Sequence, residues 1–229
     1  MFTSTRLVLN SLLCAFTLFS SVSIANIAVS PEAKQLDFKV FLDSKEIGYH
    51  RVNIEPTPEG ELINVEAQFK VKFLLITAFS YLHTVQEKWS NECLRSITTQ
   101  TTENGDEMFV QSEPTVDGLA IKSHQTDSEL SGCVRSFAYW DPQRLNSDRL
   151  LNTQTGEHVP AKLNFIRDVT YETDDVSRPA KQYLLEAEDA EINLWYDLQG
   201  EWLALKTKVK GGRELAYHRT MDDNAVGGD

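Results

Sequence analysis

Hydrophobic and polar residues alternate along most of the chain. Ile63, Val65, Ala67, Phe69, Val71 and Phe73 are apolar, while Asn64, Glu66, Gln68, Lys70 and Lys72 between them are polar. A period of two is the signature of a strand with one buried and one wet face. The same period runs through Leu36 to Leu42, Ile47 to Ile54, His83 to Trp89 and Cys93 to Glu103. It returns in Met108 to Gln111, Leu119 to His124, Leu163 to Thr173, Gln182 to Glu188, Ile192 to Asp197 and Trp202 to Lys210, and last in Glu214 to Arg219. Turn residues separate these segments: Asp43 to Glu46, Pro56 to Gly60, Ser90-Asn91, Asp117-Gly118 and Leu198-Gln199-Gly200. Asn104-Gly105 is the strongest of them, because both residues tolerate positive φ in a two-residue hairpin. Strand following strand across short turns predicts an antiparallel sheet and argues against a parallel α/β architecture.

The pattern breaks twice. Phe73, Leu74, Leu75, Ile76, Ala78 and Phe79 form a nearly unbroken apolar run. Leu75, Ala78, Phe79 and Leu82 fall at helical spacing, so a short helix over Leu74 to Tyr81 is predicted to plug the hollow of the sheet. The second break runs from Cys133 to Leu145. There Asp141-Pro142 reads as an N-cap followed by proline at the first helical position. The expected fold is mainly β: a curved antiparallel sheet, a half-barrel or open barrel, with one or two short plug helices.

The first 25 residues carry a single charge, Arg6, then a mostly apolar stretch and Ser23-Ile24-Ala25. This is the form of a secretory signal peptide cut after Ala25. The polar residues Asn10, Ser11, Thr17, Ser20 and Ser21 make the stretch a poor bilayer span, so a retained anchor is the weaker reading. Residues 26–221 then form one β-rich domain and 222–229 a loose acidic tail. The expected location is the periplasm.

The formal net charge is −12. An acidic chain without a basic run does not suit nucleic acid, and the charge itself serves solubility. After the leader only Cys93 and Cys133 remain. An exported chain with an even cysteine count predicts one disulfide, with two buried free thiols as the alternative.

No catalytic motif stands out. There is no nucleophile elbow, phosphate loop or zinc-helix pattern, and His50, His83, His124, His158 and His218 are scattered. No cofactor, metal or enzymatic activity is expected. Aromatic residues do stand out: Trp89, Phe137, Tyr139, Trp140 and Trp195. Such residues fill cores, but they also line pockets for apolar ligands. With Phe73, Leu75 and Phe79 they form the candidate ligand-binding set.

The segments IGYHRVNI (47–54), VKFLLITAFSYLHTVQEKW (71–89), GCVRSFAYWDP (132–142), RLLNTQTGE (149–157) and LWYD (194–197) together resemble a family of uncharacterised exported proteins of Gram-negative bacteria. That family supplies no catalytic residues. More distantly, the order of elements is similar to the lipoprotein-carrier (LolA/LolB-like) half-barrels. Their hollow holds acyl chains, and this resemblance implies a lipid or another apolar ligand. The expected function is a non-catalytic periplasmic binding protein for an apolar or amphipathic envelope molecule. The alternative is an envelope structural or interaction module without a ligand.

Overall fold

The computed structural model describes residues 32–73, 76–173 and 177–220. The expected leader and acidic tail lie outside the described residues. The chain forms β1 (Lys34–Leu42), β2 (Lys45–Thr57), β3 (Gly60–Phe73), β4 (Ile76–Ser90), β5 (Cys93–Glu103), β6 (Asp106–Pro114), β7 (Gly118–Ser123) and β8 (Asp127–Ser131). A short helix α1 (Pro142–Leu145) and β9 (Arg149–Leu151) follow. The chain continues with β10 (His158–Glu172), β11 (Ser177–Ala187), β12 (Ala190–Asp197), β13 (Trp202–Val209) and β14 (Arg213–Arg219). All pair into one antiparallel sheet of order β8-β7-β6-β5-β4-β3-β2-β1-β14-β13-β12-β11-β10-β9, which does not close into a barrel.

The turns are those the sequence chemistry dictates. Glu103 pairs with Asp106 across Asn104 (φ 51°) and Gly105 (φ 97°), the positive-φ pair that matches strand twist. Asp43 and Ser44 make the β1–β2 turn in the same way, with φ 48° and 66°. Asp141 caps α1, accepting from the Gln143 N–H at 2.8 Å, and Pro142 opens the helix.

The sheet curls strongly. β4 and β11 stand seven places apart in the strand order. In a flat sheet that would be about 34 Å at about 4.8 Å per strand. Yet residues of β2, β4, β11 and β12 line one cavity. The inner face carries the apolar phase: Leu36, Phe38, Val52, Ile63, Ile97, Leu185 and Leu194 are all buried. Trp202 sits at its centre, fully buried, with its ring 4.0 Å from that of Phe38 and 5.6 Å from those of His50 and Tyr139. The edge strand β8 is short and carries Asp127 and Glu129, charges that discourage pairing with another chain.

The run near residue 75 differs from the expected plug helix. From Ile76 it is strand, paired with β3 from Phe73↔Ile76 to Glu61↔Trp89. Leu74 and Leu75 lie outside the described residues. The physical reason is pairing. Isoleucine, threonine and aromatic side chains favour extended backbone, and β3 offers a full ladder opposite. The helical spacing of Ala78, Phe79 and Leu82 is incidental: Leu82 points outward and is 38 % exposed.

The hollow is stopped by another segment, residues 133–157. Cys133 is bridged to Cys93, with Cα atoms 5.0 Å apart. Val134, Ala138, Leu145, Leu150 and Leu151 of this segment are buried in the common core. Arg144 is almost buried. It bonds Glu61, lies within 3.3 Å of Asp141 and 3.6 Å of Glu92, and stacks 4.6 Å over the Trp89 ring. No described helix is long and apolar enough to cross a membrane.

Candidate functional site

A cavity of about 300 Å³ lies between the inner face of the sheet and the 133–157 segment. Cross-strand register assembles its floor. His50 pairs with Ala67, Ala67 with His83, and His83 with Thr101, so two histidines far apart in sequence flank one small alanine. On β4 the inward phase is Phe79, Tyr81, His83, Val85, Glu87 and Trp89, which places Glu87 one inward step from His83's neighbour Val85.

The polar groups here are out of water. His83 is held at both ring nitrogens: Nδ1 is 2.7 Å from the Thr101 hydroxyl and Nε2 3.2 Å from that of Thr153 in the plug segment. Burial pushes His83 down to about 4. Burial, with the nearby His83, pushes His50 down to about 3. Both imidazoles are therefore neutral near pH 7. Burial raises the Glu87 carboxyl to about 7, against the lowering effects of the Trp89 N–H bond, Ser136 and Arg144. The Trp89 indole N–H donates to Glu87 Oε2 at 2.7 Å. Ser136 stands nearby, but its hydroxyl has no partner in bonding geometry.

Three cavity-lining residues keep a buried polar atom without a partner: His50 Nδ1, Glu87 Oε1 and Trp140 Nε1. A buried unpaired polar atom costs on the order of 1–3 kcal/mol, and three of the residues around this void carry one. The remaining wall is aromatic and aliphatic. Tyr81, Phe137, Tyr139 and Tyr217 stand over Val65, Ala67, Val85 and Ile192. Burial raises the Tyr81, Tyr139 and Tyr217 hydroxyls above their usual range, keeping them protonated. At the mouth, the Tyr81 hydroxyl donates to Gln154 Oε1 at 3.0 Å.

Glu87 has a measurable signature in stability. Its folded value lies above the ordinary carboxyl value, so its contribution is full below about pH 4.5 and is lost as pH rises through about 7. His50 and His83 are depressed, so theirs is full above about pH 6.5 and is lost as pH falls toward 4 and 3. Glu87→Gln removes only the first. The variant is expected to gain on the parent by about 3 kcal/mol between pH 4.5 and 8, read by urea unfolding at the two ends. A constant difference would mean that Glu87 is not buried as described.

Phe137, Tyr139 and Trp140 of the sequence-derived set lie on the cavity wall. Trp89 lies beside it, buried, and fixes Glu87. Phe79 is half-buried and stacks on Tyr81 near the open end. The Phe73 side chain and Leu75 lie outside the described residues. Trp195 is not in the cavity: it is in phase with the outer face, in a groove with Tyr171 and His218, whose side chains meet at 2.7 Å. The reason is that Leu194 and Tyr196 both point inward around the bulge at Trp195/Tyr196. Sequence reasoning missed His50, His83 and Glu87. The available signal was their phase, since each stands in step with apolar residues of its own strand.

A family model described as a domain of unknown function, DUF6134, matches residues 38–220. No curated protein matches the chain. Among solved structures, the crystal structure of a β-barrel-like protein of domain of unknown function DUF1849 from Brucella abortus is similar. Its TM-score is 0.60 at 9 % identity, covering 81 % of this chain and 94 % of that one. At that identity the likeness is one of fold.

Proposed function

We propose, for a chain that belongs to the DUF6134 family of unknown function, a non-catalytic role: it binds a small apolar or amphipathic molecule of the cell envelope under its curled sheet. One observation carries this reading, the aromatic-walled cavity with three unpaired buried polar atoms. Its volume sits at the lower end of the range for small-molecule pockets. The apolar wall suits the body of an amphipathic ligand, and the unpaired atoms suit its polar end. The expected leader and the Cys93–Cys133 bridge both favour an oxidising compartment, and the periplasm fits them.

Native mass spectrometry of protein purified from the periplasm tests the reading. A small molecule is expected to travel with the parent and to be missing from Ala190→Trp, which fills the cavity wall. Protein that is empty in both forms counts against it. The second reading, a protein-interaction module, is favoured by adjacent exposed Phe165 and Ile166 at the β10 bulge. A stoichiometric protein partner without a small molecule would support that one instead.

A further inference from the structure

The charges around the cavity are one-sided. Its wall holds two glutamates, Glu87 and Glu188, and neither lysine nor arginine. Glu87 is 1 % exposed and its Oε1 has no partner. The cation that influences it, Arg144, is already engaged by Glu61, Glu92, Asp141 and the Trp89 ring. The two histidines of the same cavity wall are neutral and add no charge.

The mouth repeats the sign. The β11–β12 hairpin reads Glu186-Ala187-Glu188-Asp189-Ala190-Glu191, and Ala187, Glu188 and Ala190 of it line the cavity. Glu186 and Glu191 stand directly opposite each other across the ladder on its outer, exposed face, a like-charge pair that costs stability in a sheet. Phe137, Tyr139, Trp140 and Tyr217 bring aromatic rings to the cavity wall, as does Tyr81, whose ring stacks on Phe69 and Phe79. Aromatic faces around a buried carboxylate attract organic cations, and an acidic mouth raises their local concentration.

We propose that the ligand is a small alkylammonium, its charge set against Glu87 and its alkyl groups against the aromatic wall. A hydrocarbon chain alone would leave Glu87 Oε1, His50 Nδ1 and Trp140 Nε1 unpaired. An ammonium carrying an N–H has a donor for the carboxylate, which a hydrocarbon lacks. This inference rests on the binding reading above and names its ligand class.

Calorimetry with N,N-dimethylethanolamine and its neutral isostere 3-methylbutan-1-ol tests it, since the two differ by N–H⁺ against C–H. At about pH 8 the amine remains protonated and Glu87 is mostly ionised. The amine is expected to bind at least about tenfold more tightly than the alcohol, and Glu87→Gln to remove the gap. Below about pH 7 amine affinity is expected to fall about tenfold per pH unit, as a proton must leave Glu87. Over that range His50 and His83 stay neutral and the three tyrosines stay protonated; Arg144 and Glu188 are the other charged groups that face the site.

Glu188→Gln, at an exposed position, is a second variant that leaves the interior intact. It is expected to slow amine association a few-fold at low salt and hardly at all at high salt. Equal binding of the alcohol overturns the cation and leaves the binding reading standing. So does failure of both probes in a protein that carries a neutral co-purified molecule. Failure of both probes in a protein that also purifies empty overturns the cation and the binding reading together.

Discussion

Trp202→Ala is expected to destabilise the fold by about 3–5 kcal/mol, the range for removing a large aromatic side chain from a packed core. Trp202 is 0 % exposed and its ring joins β13 to three other strands and the plug: Phe38 of β1, His50 of β2, Tyr217 of β14 and Tyr139 of the 133–157 segment. Its indole N–H also satisfies the Ala204 carbonyl at 2.9 Å. Truncation therefore opens a void between the two halves of the curl and orphans an acceptor. Trp202→Phe separates the two effects, since it keeps most of the ring volume and loses only the hydrogen bond, about 1 kcal/mol. Each kcal/mol lowers the midpoint by about 2–4 °C in a domain of this size. Thermal unfolding of the two variants checks the order. A Trp202→Ala protein as stable as the parent would mean that the curl does not close on this ring.

Much of the sheet is legible in the sequence because its determinants are local. Period-two alternation needs only neighbours i and i+2, and turns such as Asn104-Gly105 or Leu198-Gln199-Gly200 need only their own φ preferences. Asp141-Pro142 is equally local, and the helix begins at Pro142. Short strands without alternation, such as β8 (DSELS) and β9 (RLL), escape that logic.

The location of the plug is illegible for the opposite reason. Residues 133–157 have no period and many polar groups, and nothing local says that Tyr139 will meet Trp202 or Thr153 will meet His83. The apolar run at residues 73–82 looks more like a plug, yet a long partner strand claims it from Ile76 onward. The cavity is harder still. His50 and His83 become neighbours only through the Ala67 register of two separate strand pairs. Phase could have flagged Glu87, which occupies an inward position between Val85 and Trp89. It could not have supplied the second wall, which arrives from β11 and β12, seven and six strands away in the sheet.

Breaking the Cys93–Cys133 bridge is expected to cost about 4 kcal/mol, by chain-entropy reasoning for a closed loop of this length. The two cysteines are 40 residues apart, and the loop contains β5 to β8 in full. The bond fastens the first residue of the plug to the first residue of β5, and the Leu94 N–H to Val134 carbonyl bond at 2.9 Å extends the attachment by one step. Beyond it the plug is held by its buried apolar residues, by the β9–β10 ladder, and by single contacts: the Tyr196 hydroxyl on the Tyr139 carbonyl, the Arg144 cluster, and Thr153 on His83. Residues 133–148, which precede β9, have no ladder of their own, so reduction should loosen them before the strands. Urea unfolding of Cys93→Ser/Cys133→Ser should show the stability loss together with a larger denaturant slope, because the unfolded chain without the loop exposes more surface. Hydrogen exchange should show protection lost in the plug and retained in β1 to β4. Since the plug forms one wall of the cavity, the same variant should lose the proposed small molecule while most of the sheet remains. A reduced protein with an unchanged midpoint and a fully protected plug would show that packing alone holds the stopper in place.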